Sequence, residues 1–544
     1  MTASLNSGRS HRAAFLKGFR LFALTVLLGT SALLATQAAR AEPVRGGTLN
    51  YVLDRESATI LPINTTQYAA MVVGPKIFDG LLAYEKDFTP IPQLATAWEV
   101  APDFLQYRFT IREGVRWHDG KPLTADDVAF SLQRLKEFHP RGRSTFGNVT
   151  SIETPDAQTV VLRLSRPAPY LLTALAASES PIIPRHVFES IAGNENPPHE
   201  ALIGSGPFRF REWVRGGHII LGRNDEYWQQ GKPYLDQIIV HIVPDATART
   251  AGFEAGKFDL GFDGAVPLTE VERLKQVPHL ALEDVPPAYL ASHREIFFNF
   301  ETPQLQDVRV RRAIAHAIDL KALHKLIYLG YGQYAFSPIS PALAQFHDAS
   351  IRPYAHDLKE ANRLLDEAGF ARGSNGERFR LRLLNNPAAD PRHAAFIRQS
   401  LKPIGIEVDV SLTDQATYVR QVYTDRAFDL AVEALSNMFD PAVGVHRGFL
   451  TSAFKVGLPF SNPARYSNPE VDRILTAAGT ETDLAKRQQL YRDFQRIVHE
   501  ELPSIDIAYP PAFVVKKKTV QGELLGAHAV VWSFADTYLS QPGR

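Results

Sequence analysis

The sequence predicts an α/β protein built from two or three domains, and three observations lead to this prediction. The chain has 544 residues, which is too long for one hydrophobic core. Between residues 379 and 434, apolar strand patterns alternate with helical patterns, which indicates a largely parallel sheet. In mid-chain, the apolar run Ile296–Phe300 is followed by a helical pattern, which we interpret as a crossing between two lobes.

Residues 1–41 are predicted to be a secretory signal peptide. Four basic residues precede the apolar run 21–34, and Ala39-Arg40-Ala41 supplies the small residues of a cleavage site. A membrane anchor needs about 18 or more consecutive apolar residues, whereas this run is shorter and is interrupted at Gly29–Ser31. We therefore expect cleavage after Ala41 and a free, periplasmic protein.

The charge and composition of the chain exclude several classes of function. It carries 59 basic and 59 acidic residues, and removal of residues 1–41 leaves 54 basic against 59 acidic, a net charge of −5. An extended nucleic-acid surface is not expected for such a chain, and the basic run Lys516–Lys518 is explained by a solvated loop. The absence of cysteine excludes disulfides, thiolate metal sites, a cysteine nucleophile and an N-terminal lipid.

The first part of the mature chain opens with glycines and a strand. Gly46-Gly47 precede the apolar run 48–53, and the polar loop after this run contains Thr66 and Tyr68, two candidate ligand-binding residues. Further on, Asp119-Gly120 is typical of a hairpin turn, and Thr124 is placed to cap a helix.

Helix signals dominate the chain after the mid-chain crossing. Asp307 and Asp319 are placed to cap two successive helices. Asp357 and Asn468-Pro469 are typical starts of two later helices. The apolar segment Ile505–Tyr509 is then predicted to be the strand that returns to the first lobe.

Three predicted strands in this part of the chain select candidate ligand-binding residues. The strand patterns are 379–384, 406–410 and 428–434, with helix patterns 393–402 and 415–423 between them. In parallel α/β sheets, ligands lie at the carboxyl ends of strands. The residues that follow the first and third strands are therefore candidates, and they are Asn385, Asn386, Ser436, Asn437, Met438, Phe439 and Asp440.

Several longer motifs resemble those of one family. The chain is similar to the extracytoplasmic solute-binding proteins of ABC importers, in the family of dipeptide, oligopeptide, nickel and opine receptors (bacterial solute-binding protein family 5). The motifs cover nearly all of the mature chain, and they are Arg112–Val128, Gly204-Ser205-Gly206-Pro207-Phe208, Trp213, Arg223–Trp228, Gly231–Asp236 and Asp307–Asp319.

The resemblance implies an α/β, two-lobed periplasmic-binding-protein-like fold (type II), with an extra subdomain inserted in the first lobe. The implied limits are 42–82 with 204–297 and 507–544 for lobe I, 83–203 for the inserted subdomain, and 298–506 for lobe II. Residues 297–300 and 503–507 would be hinge strands. Such a protein is expected to be a monomer that captures a small-molecule or peptide-like solute in the interlobe cleft. It would deliver this solute to the permease subunits of an ABC transporter, without a cofactor or nucleic acid.

Two positions depart from the pattern of the peptide-binding members of this family. In those members an aspartate pairs with the free amino group of the peptide, and counting back from Asp440-Pro441 places Asn437 there. In dipeptide receptors an arginine holds the peptide carboxylate, and the corresponding position in this chain is near Leu384. Arg382 could serve instead if a gap shifts the register. We therefore predict that ordinary peptides are not bound through their free amino terminus. Two alternatives stay open, namely a peptide receptor with a different amine anchor, such as Asp440, and a loop-capping role for Asn437.

No catalytic constellation emerges from the sequence. Gly204-Ser205-Gly206 lacks the spacing of a nucleophile elbow, and a backbone turn explains it. Asp259–Gly264 resembles a calcium loop but lacks the closing glutamate, so a strand and a turn are expected there. His118 and His316 are assigned structural roles, and we predict neither a catalytic residue nor a metal site. A secreted hydrolase stays open as the alternative from another class.

Overall fold

The structure is a computed structural model, and it describes residues 43–193, 195, 198–285, 289–522 and 531–541. The predicted signal peptide and its cleavage site lie outside these residues. No helix in the described part of the chain is long and apolar enough to span a membrane. Two large sheets, a smaller four-stranded sheet and the helices packed on them make up the described fold.

The larger sheet combines strands from both ends of the described chain. In spatial order its seven described strands are Leu280–Asp284, Phe513–Lys517, Leu260–Phe262, Thr48–Leu53, Gln237–Ile242, His218–Arg223 and Phe208–Val214. The strand Thr48–Leu53 lies in the middle and is parallel to both neighbours. Its residues Leu49 and Val52 are fully buried, because helices and loops cover both faces of the sheet at this point.

The second sheet confirms the predicted strand–helix alternation and extends it. In spatial order its five described strands are Ile406–Leu412, Phe379–Asn385, Leu430–Ser436, Ser292–Phe298 and Ser504–Ala508. The first three are parallel, as predicted, whereas Ser292–Phe298 is antiparallel to both of its neighbours.

One expectation about the return strand was wrong. The segment predicted as Ile505–Tyr509 pairs with Ser292–Phe298 and so stays in the five-stranded sheet. The chain rejoins the seven-stranded sheet only at Phe513–Lys517. The predicted limit of lobe I at residue 297 falls inside the strand Ser292–Phe298, and the limits of the lobes stay a prediction.

A smaller antiparallel sheet lies in the segment predicted as an insertion. Its order is Ala95–Val100, Gln106–Ile111, Thr159–Leu164 and Val149–Asp156. Two short pairs complete the described strands, Leu82–Tyr84 with Pro90–Pro92 and Val520–Gln521 with Tyr538–Leu539.

The described α-helices are Tyr68–Ile77, Ala125–Phe138, Gly142–Phe146, Arg185–Phe188, Ala246–Glu254, Val271–Leu274, Pro303–Gln306, Val308–Ala317, Leu320–Tyr328, Leu358–Glu367, Arg392–Leu401, Gln415–Val419, Pro441–Gly444, His446–Phe449, Pro469–Ala478 and Leu484–Glu501. Short 3₁₀ turns are Pro62–Asn64, Leu171–Thr173, His199–Ala201, Leu268–Glu270, Pro341–Leu343, Lys402–Ile404 and Thr451–Ala453.

The predicted helix caps are confirmed. The side chains of Asp307, Asp319, Asp357 and Asn468 each accept a hydrogen bond from a backbone N–H in the first turn of the following helix. At Thr124 the cap is reciprocal, because the carboxylate of Asp127 accepts the Thr124 N–H at 2.9 Å. Short-range signals therefore located the starts of these helices.

The predicted helix 415–423 changes its geometry midway. It is an α-helix over Gln415–Val419 and continues as a π-helical turn over Arg420–Thr424. The hydroxyls of Tyr418 and Tyr423 both donate to one oxygen of Glu433, at 2.7 Å each. A wider turn brings residues five apart to the same side of the helix, which explains the departure from α-helical geometry.

Candidate functional site

Two parallel strands of the five-stranded sheet carry candidate residues at or after their carboxyl ends. The register pairs Asn385, the last residue of Phe379–Asn385, with Val432, four residues before the end of Leu430–Ser436. The N–H of Asn386 donates to the Val432 carbonyl at 3.0 Å. The candidates at 385–386 therefore lie beside residues 432–433, and one site that they share with residues 436–440 stays a prediction.

A buried glutamate organises this edge. Glu433 has no exposed surface, and besides the two tyrosine hydroxyls its carboxylate accepts Nδ2 of Asn386 at 2.9 Å. Burial raises the pKa of Glu433 above its ordinary value, while these hydrogen bonds act in the opposite direction. The amide of Asn386 is therefore engaged inside the protein.

Asn437 joins two loops. Its Nδ2 donates to the Pro338 carbonyl at 2.9 Å, and its Oδ1 accepts the Ser340 N–H at 2.6 Å. Its backbone N–H donates to the Ala291 carbonyl at 3.1 Å, and the residue is only 3 % exposed. These contacts confirm the loop-capping alternative for Asn437, and contact with a ligand stays a prediction.

The carboxylate of Asp440 is neutralised by a buried arginine. Arg487 donates to both of its oxygens, at 2.9 and 2.7 Å, and the two side chains are 4 % and 5 % exposed. The same carboxylate accepts the Ala442 N–H at 2.9 Å and caps the helix Pro441–Gly444. Burial alone would lower the pKa of Arg487, but the charge of Asp440 holds it above its ordinary value. A ligand ammonium at Asp440 would compete with this internal ion pair.

The other candidates at this edge have different environments. Met438 and Phe439 are buried, and the Phe439 ring centroid lies 5.2 Å from that of Tyr289. Ser436 is partly exposed at the end of its strand. Asn385 donates to two backbone carbonyls, but its buried Oδ1 has no hydrogen-bond partner among the described residues. This oxygen is available to a ligand or to water.

Thr66 and Tyr68 lie beside the other large sheet. Tyr68 begins the helix Tyr68–Ile77, and Thr66 is partly buried in the loop before it. Burial raises the pKa of Tyr68 well above its ordinary value, and the nearby Asp263 and Asp54 act in the same direction. Within the described residues, no hydrogen bond joins either residue to the edge at 385–386 and 436–440, so their part in one site stays a prediction.

Arg382, the predicted substitute for a carboxylate-binding arginine, is occupied. Its guanidinium contacts both oxygens of Asp429, at 3.0 and 2.9 Å, and about half of the side chain is exposed to solvent. It lies in the middle of the strand Phe379–Asn385 and not at the carboxyl end. The structure therefore gives it a surface ion pair away from the candidate edge.

Arg447, which was not selected as a candidate from the sequence, has a different environment from Arg382. Arg447 belongs to the short helix His446–Phe449, and its Nε donates to the Gly444 carbonyl at 3.3 Å. Its two terminal nitrogens have no hydrogen-bond or ion-pair partner in the part of the chain that the structure describes. The segment carries no motif, so the lack of a partner for these two nitrogens among the described residues could be seen only in the fold.

The surroundings of Arg447 come from both parts of the molecule. Glu433, Glu295 and Tyr423 lie near it on the side of the five-stranded sheet, and Arg141 lies near it on the side of the inserted segment. Burial, reinforced by the charge of Arg141, lowers the pKa of Arg447 to about 10, so it remains a cation at neutral pH. The residue as a whole is nevertheless partly accessible to solvent.

Two motifs weighed as catalytic or metal-binding have structural roles. The Ser205 hydroxyl donates to Asp79 at 2.9 Å, and a Cβ at Gly204 would lie 1.9 Å from the Ile77 carbonyl oxygen. Asp259 pairs with Lys517 at 2.7 Å, next to the strand Leu260–Phe262. The predicted turn and the predicted strand are both confirmed.

The sequence of this chain matches known proteins over most of its length. A family model described as bacterial extracellular solute-binding proteins, family 5 Middle, matches residues 89–455. Heme-binding protein A of Haemophilus influenzae is 30 % identical over 487 residues, which are 85 % of this chain and 86 % of that protein.

Two solved structures have the same fold. The ABC transporter-associated periplasmic binding protein DppA of Helicobacter pylori, in complex with the peptide STSA, has a TM-score of 0.78 at 26 % identity and covers 92 % of this chain and 99 % of its own. The oligopeptide-binding protein AppA of Bacillus subtilis, in complex with a nonapeptide, has a TM-score of 0.79 at 25 % identity and covers 92 % and 100 %. The predicted resemblance is confirmed, and the chain belongs to the family 5 bacterial extracellular solute-binding proteins, the substrate-binding components of ABC importers.

Proposed function

We propose that this protein captures a small organic solute bearing a carboxylate, holds it against Arg447, and delivers it to the permease subunits of an ABC importer. The observation that supports the carboxylate is the guanidinium of Arg447, whose terminal nitrogens have no partner among the described residues. Arginine binds carboxylates through two parallel hydrogen bonds, and such charged hydrogen bonds are among the strong ones in proteins.

The same surroundings argue against anchoring of a solute ammonium at the predicted edge. The carboxylate of Asp440 is paired with Arg487, and the amide of Asn437 links two loops. A ligand cation placed there would have to displace an internal partner, and an unpaired buried charge is strongly unfavourable. A free amino terminus is therefore not the group by which this protein selects its solute.

Delivery to a permease follows from closure of the lobes around the solute. The chain joins the two large sheets twice, after the strand Leu280–Asp284 and after the strand Ser504–Ala508. The predicted hinge segments 297–300 and 503–507 lie within or next to the five-stranded sheet. Two such connections allow a hinge motion, and a solute favours the closed form only through the contacts that it gains there. Arg447 and Arg141 interact electrostatically, but the guanidinium of Arg141 is already paired with Glu179, so Arg447 alone is the proposed anchor.

The test has two steps. Mass spectrometry of the denatured protein identifies the small molecules that co-purify, and calorimetry measures their affinity for wild type and for Arg447→Gln. Loss of one charged hydrogen bond is worth about 1.5–3 kcal/mol, so we expect affinity to fall by roughly 10- to 150-fold. Arg447→Lys should retain part of the affinity, because it keeps the charge but not the paired geometry.

The matched control is Arg420→Gln, which removes an exposed arginine that pairs with Asp425 in the same lobe. This variant should bind like wild type. Equal affinity of Arg447→Gln and wild type for the co-purified solute would contradict the anchor. Turnover of the solute, in place of stoichiometric binding, would favour the secreted-hydrolase alternative.

A further inference from the structure

Three side chains from two strands of the five-stranded sheet converge on one point. His293 and Glu295 are two residues apart on Ser292–Phe298 and so lie on the same face of the sheet. Asp506, on the neighbouring strand Ser504–Ala508, is the register partner of Glu295. The pairing of these strands shifts between Arg294 and Glu295, and such β-bulges re-aim side chains next to functional sites.

Each of the three residues contributes one buried atom that lacks a hydrogen-bond partner among the described residues. These atoms are Nε2 of His293, Oε2 of Glu295 and Oδ1 of Asp506. The side chains are only 2 %, 3 % and 10 % exposed. Nε2 of His293 and Oδ1 of Asp506 form an ion pair with each other, whereas Oε2 of Glu295 has no hydrogen-bond partner among the described residues. Buried polar atoms are almost always hydrogen-bonded, so this cluster calls for an explanation.

The distances resemble those between the ligands of a metal ion. Nε2 of His293 and Oδ1 of Asp506 are 2.9 Å apart, yet their directions do not form a hydrogen bond. Metal–ligand bonds of about 2.0–2.2 Å place neighbouring donor atoms roughly 2.8–3.6 Å apart. One donor atom from each residue lies within 4.8 Å of the other two. If these distances shortened by about 1 Å, the three atoms could coordinate one metal ion.

We propose that His293, Glu295 and Asp506 bind a divalent transition-metal ion of the Zn²⁺ type at a site separate from the solute anchor. One imidazole nitrogen and two carboxylate oxygens are a ligand set suited to Zn²⁺ and to Co²⁺. The ring of Tyr509 stacks on His293 with centroids 5.3 Å apart and holds the imidazole in place.

Metal ligands bind in their deprotonated forms, so metal binding depends on pH and releases protons to the buffer. A metal site was not predicted from the sequence, because Asp506 is far from the other two residues in the chain.

The experiment uses Co²⁺ and Zn²⁺ as probes on the full mature protein after treatment with EDTA. Because the site is buried, the protein is loaded both directly and by refolding from urea with the metal present. The visible absorption of Co²⁺ reports coordination, and Zn²⁺ calorimetry in two buffers of different ionisation enthalpy counts the released protons. We expect one equivalent to bind, and affinity to fall by roughly 100-fold or more in His293→Gln and in Asp506→Asn.

The matched control is His186→Gln, which removes another histidine–carboxylate pair, formed with Asp119 at 2.7 Å on the surface. This variant should bind the metal like wild type. Circular dichroism shows whether each variant is folded, and Glu295→Gln replaces any variant that is not. Absence of stoichiometric binding to wild type after refolding, or binding that the His293 and Asp506 variants retain, would overturn the proposal.

Discussion

The buried pair of Asp440 and Arg487 gives the most quantitative prediction. We expect Asp440→Asn to lower the free energy of unfolding without acting on an amine anchor. The substitution keeps the shape of the side chain, and an asparagine oxygen can still accept the Ala442 N–H that begins the helix Pro441–Gly444. It removes the negative charge that faces Arg487, so the cation is left buried without its counter-charge.

The structure sets the size of this effect. Removing one partner of a buried ion pair costs about 3–5 kcal/mol, because the remaining charge is uncompensated. Arg487 retains a hydrogen bond from its Nε to the Ala478 carbonyl at 2.8 Å, and its Nη2 lies 3.3 Å from the Tyr491 hydroxyl. These contacts favour the lower end of the range, about 3 kcal/mol. That loss is a large part of the roughly 5–15 kcal/mol that stabilises a typical protein.

The free energy of unfolding is measured by urea denaturation of wild type and variant, with tryptophan fluorescence and circular dichroism as the signals. The control is Asp409→Asn, because Asp409 pairs with Arg380 at a similar distance of 2.9 Å but with both side chains more than half exposed. Exposed pairs contribute about 0–1 kcal/mol, so the control should change little. A loss below about 1 kcal/mol at Asp440 would refute the reasoning. If Asp440→Asn instead abolished binding of peptides with a free amine, Asp440 would be the anchor of a true peptide receptor.

Three further outcomes are expected. N-terminal sequencing of the exported protein should begin at Glu42, and a start at Met1 or a lipid would refute the predicted cleavage. Small-angle scattering should show a smaller radius of gyration with the co-purified solute, and an unchanged profile at saturation would count against closure. Since burial raises the pKa of Glu295 to about 8, the native state holds its proton more tightly than the unfolded chain, and stability should fall as pH rises from about 5 to 8. Glu295→Gln should show a smaller fall in thermal unfolding at pH 5, 7 and 9, because Glu433 and Asp79, whose pKa values burial also raises, still contribute.

The features that could be predicted from the sequence depend on neighbours in the chain. The caps at Asp307, Asp319 and Asp357 act within three residues of the helix start, so a short window contains the whole signal. The parallel strands of the second sheet follow from their regular alternation with helices, because a right-handed crossover leaves few other arrangements. The family resemblance also depends on motifs that are continuous in the sequence.

The features that were missed depend on contacts between distant residues. Nothing near Asp440 in the chain indicates that Arg487, 47 residues later, neutralises it. The partner of Asn437 is Ser340, 97 residues earlier, and the strand-end rule could select Asn437 without showing that its amide was occupied. The rule selected residues at one edge of the sheet, and binding of a solute there stays a prediction. Which polar groups remain without internal partners at this edge is decided by tertiary packing.

Arg447 is the residue whose proposed role depends most on contacts between distant parts of the chain. Burial disfavours the charged guanidinium of Arg447, whose terminal nitrogens have no partner among the described residues, and a solute carboxylate would relieve this cost on binding. Arg447→Met should therefore raise the midpoint of urea unfolding in the solute-free protein while weakening solute binding, the trade-off expected when a functional group is held in an unfavourable environment. Arg420→Met, at an exposed position, should change neither quantity. If Arg447→Met lowered stability as well as affinity, the guanidinium would have a structural partner and could not be the solute anchor.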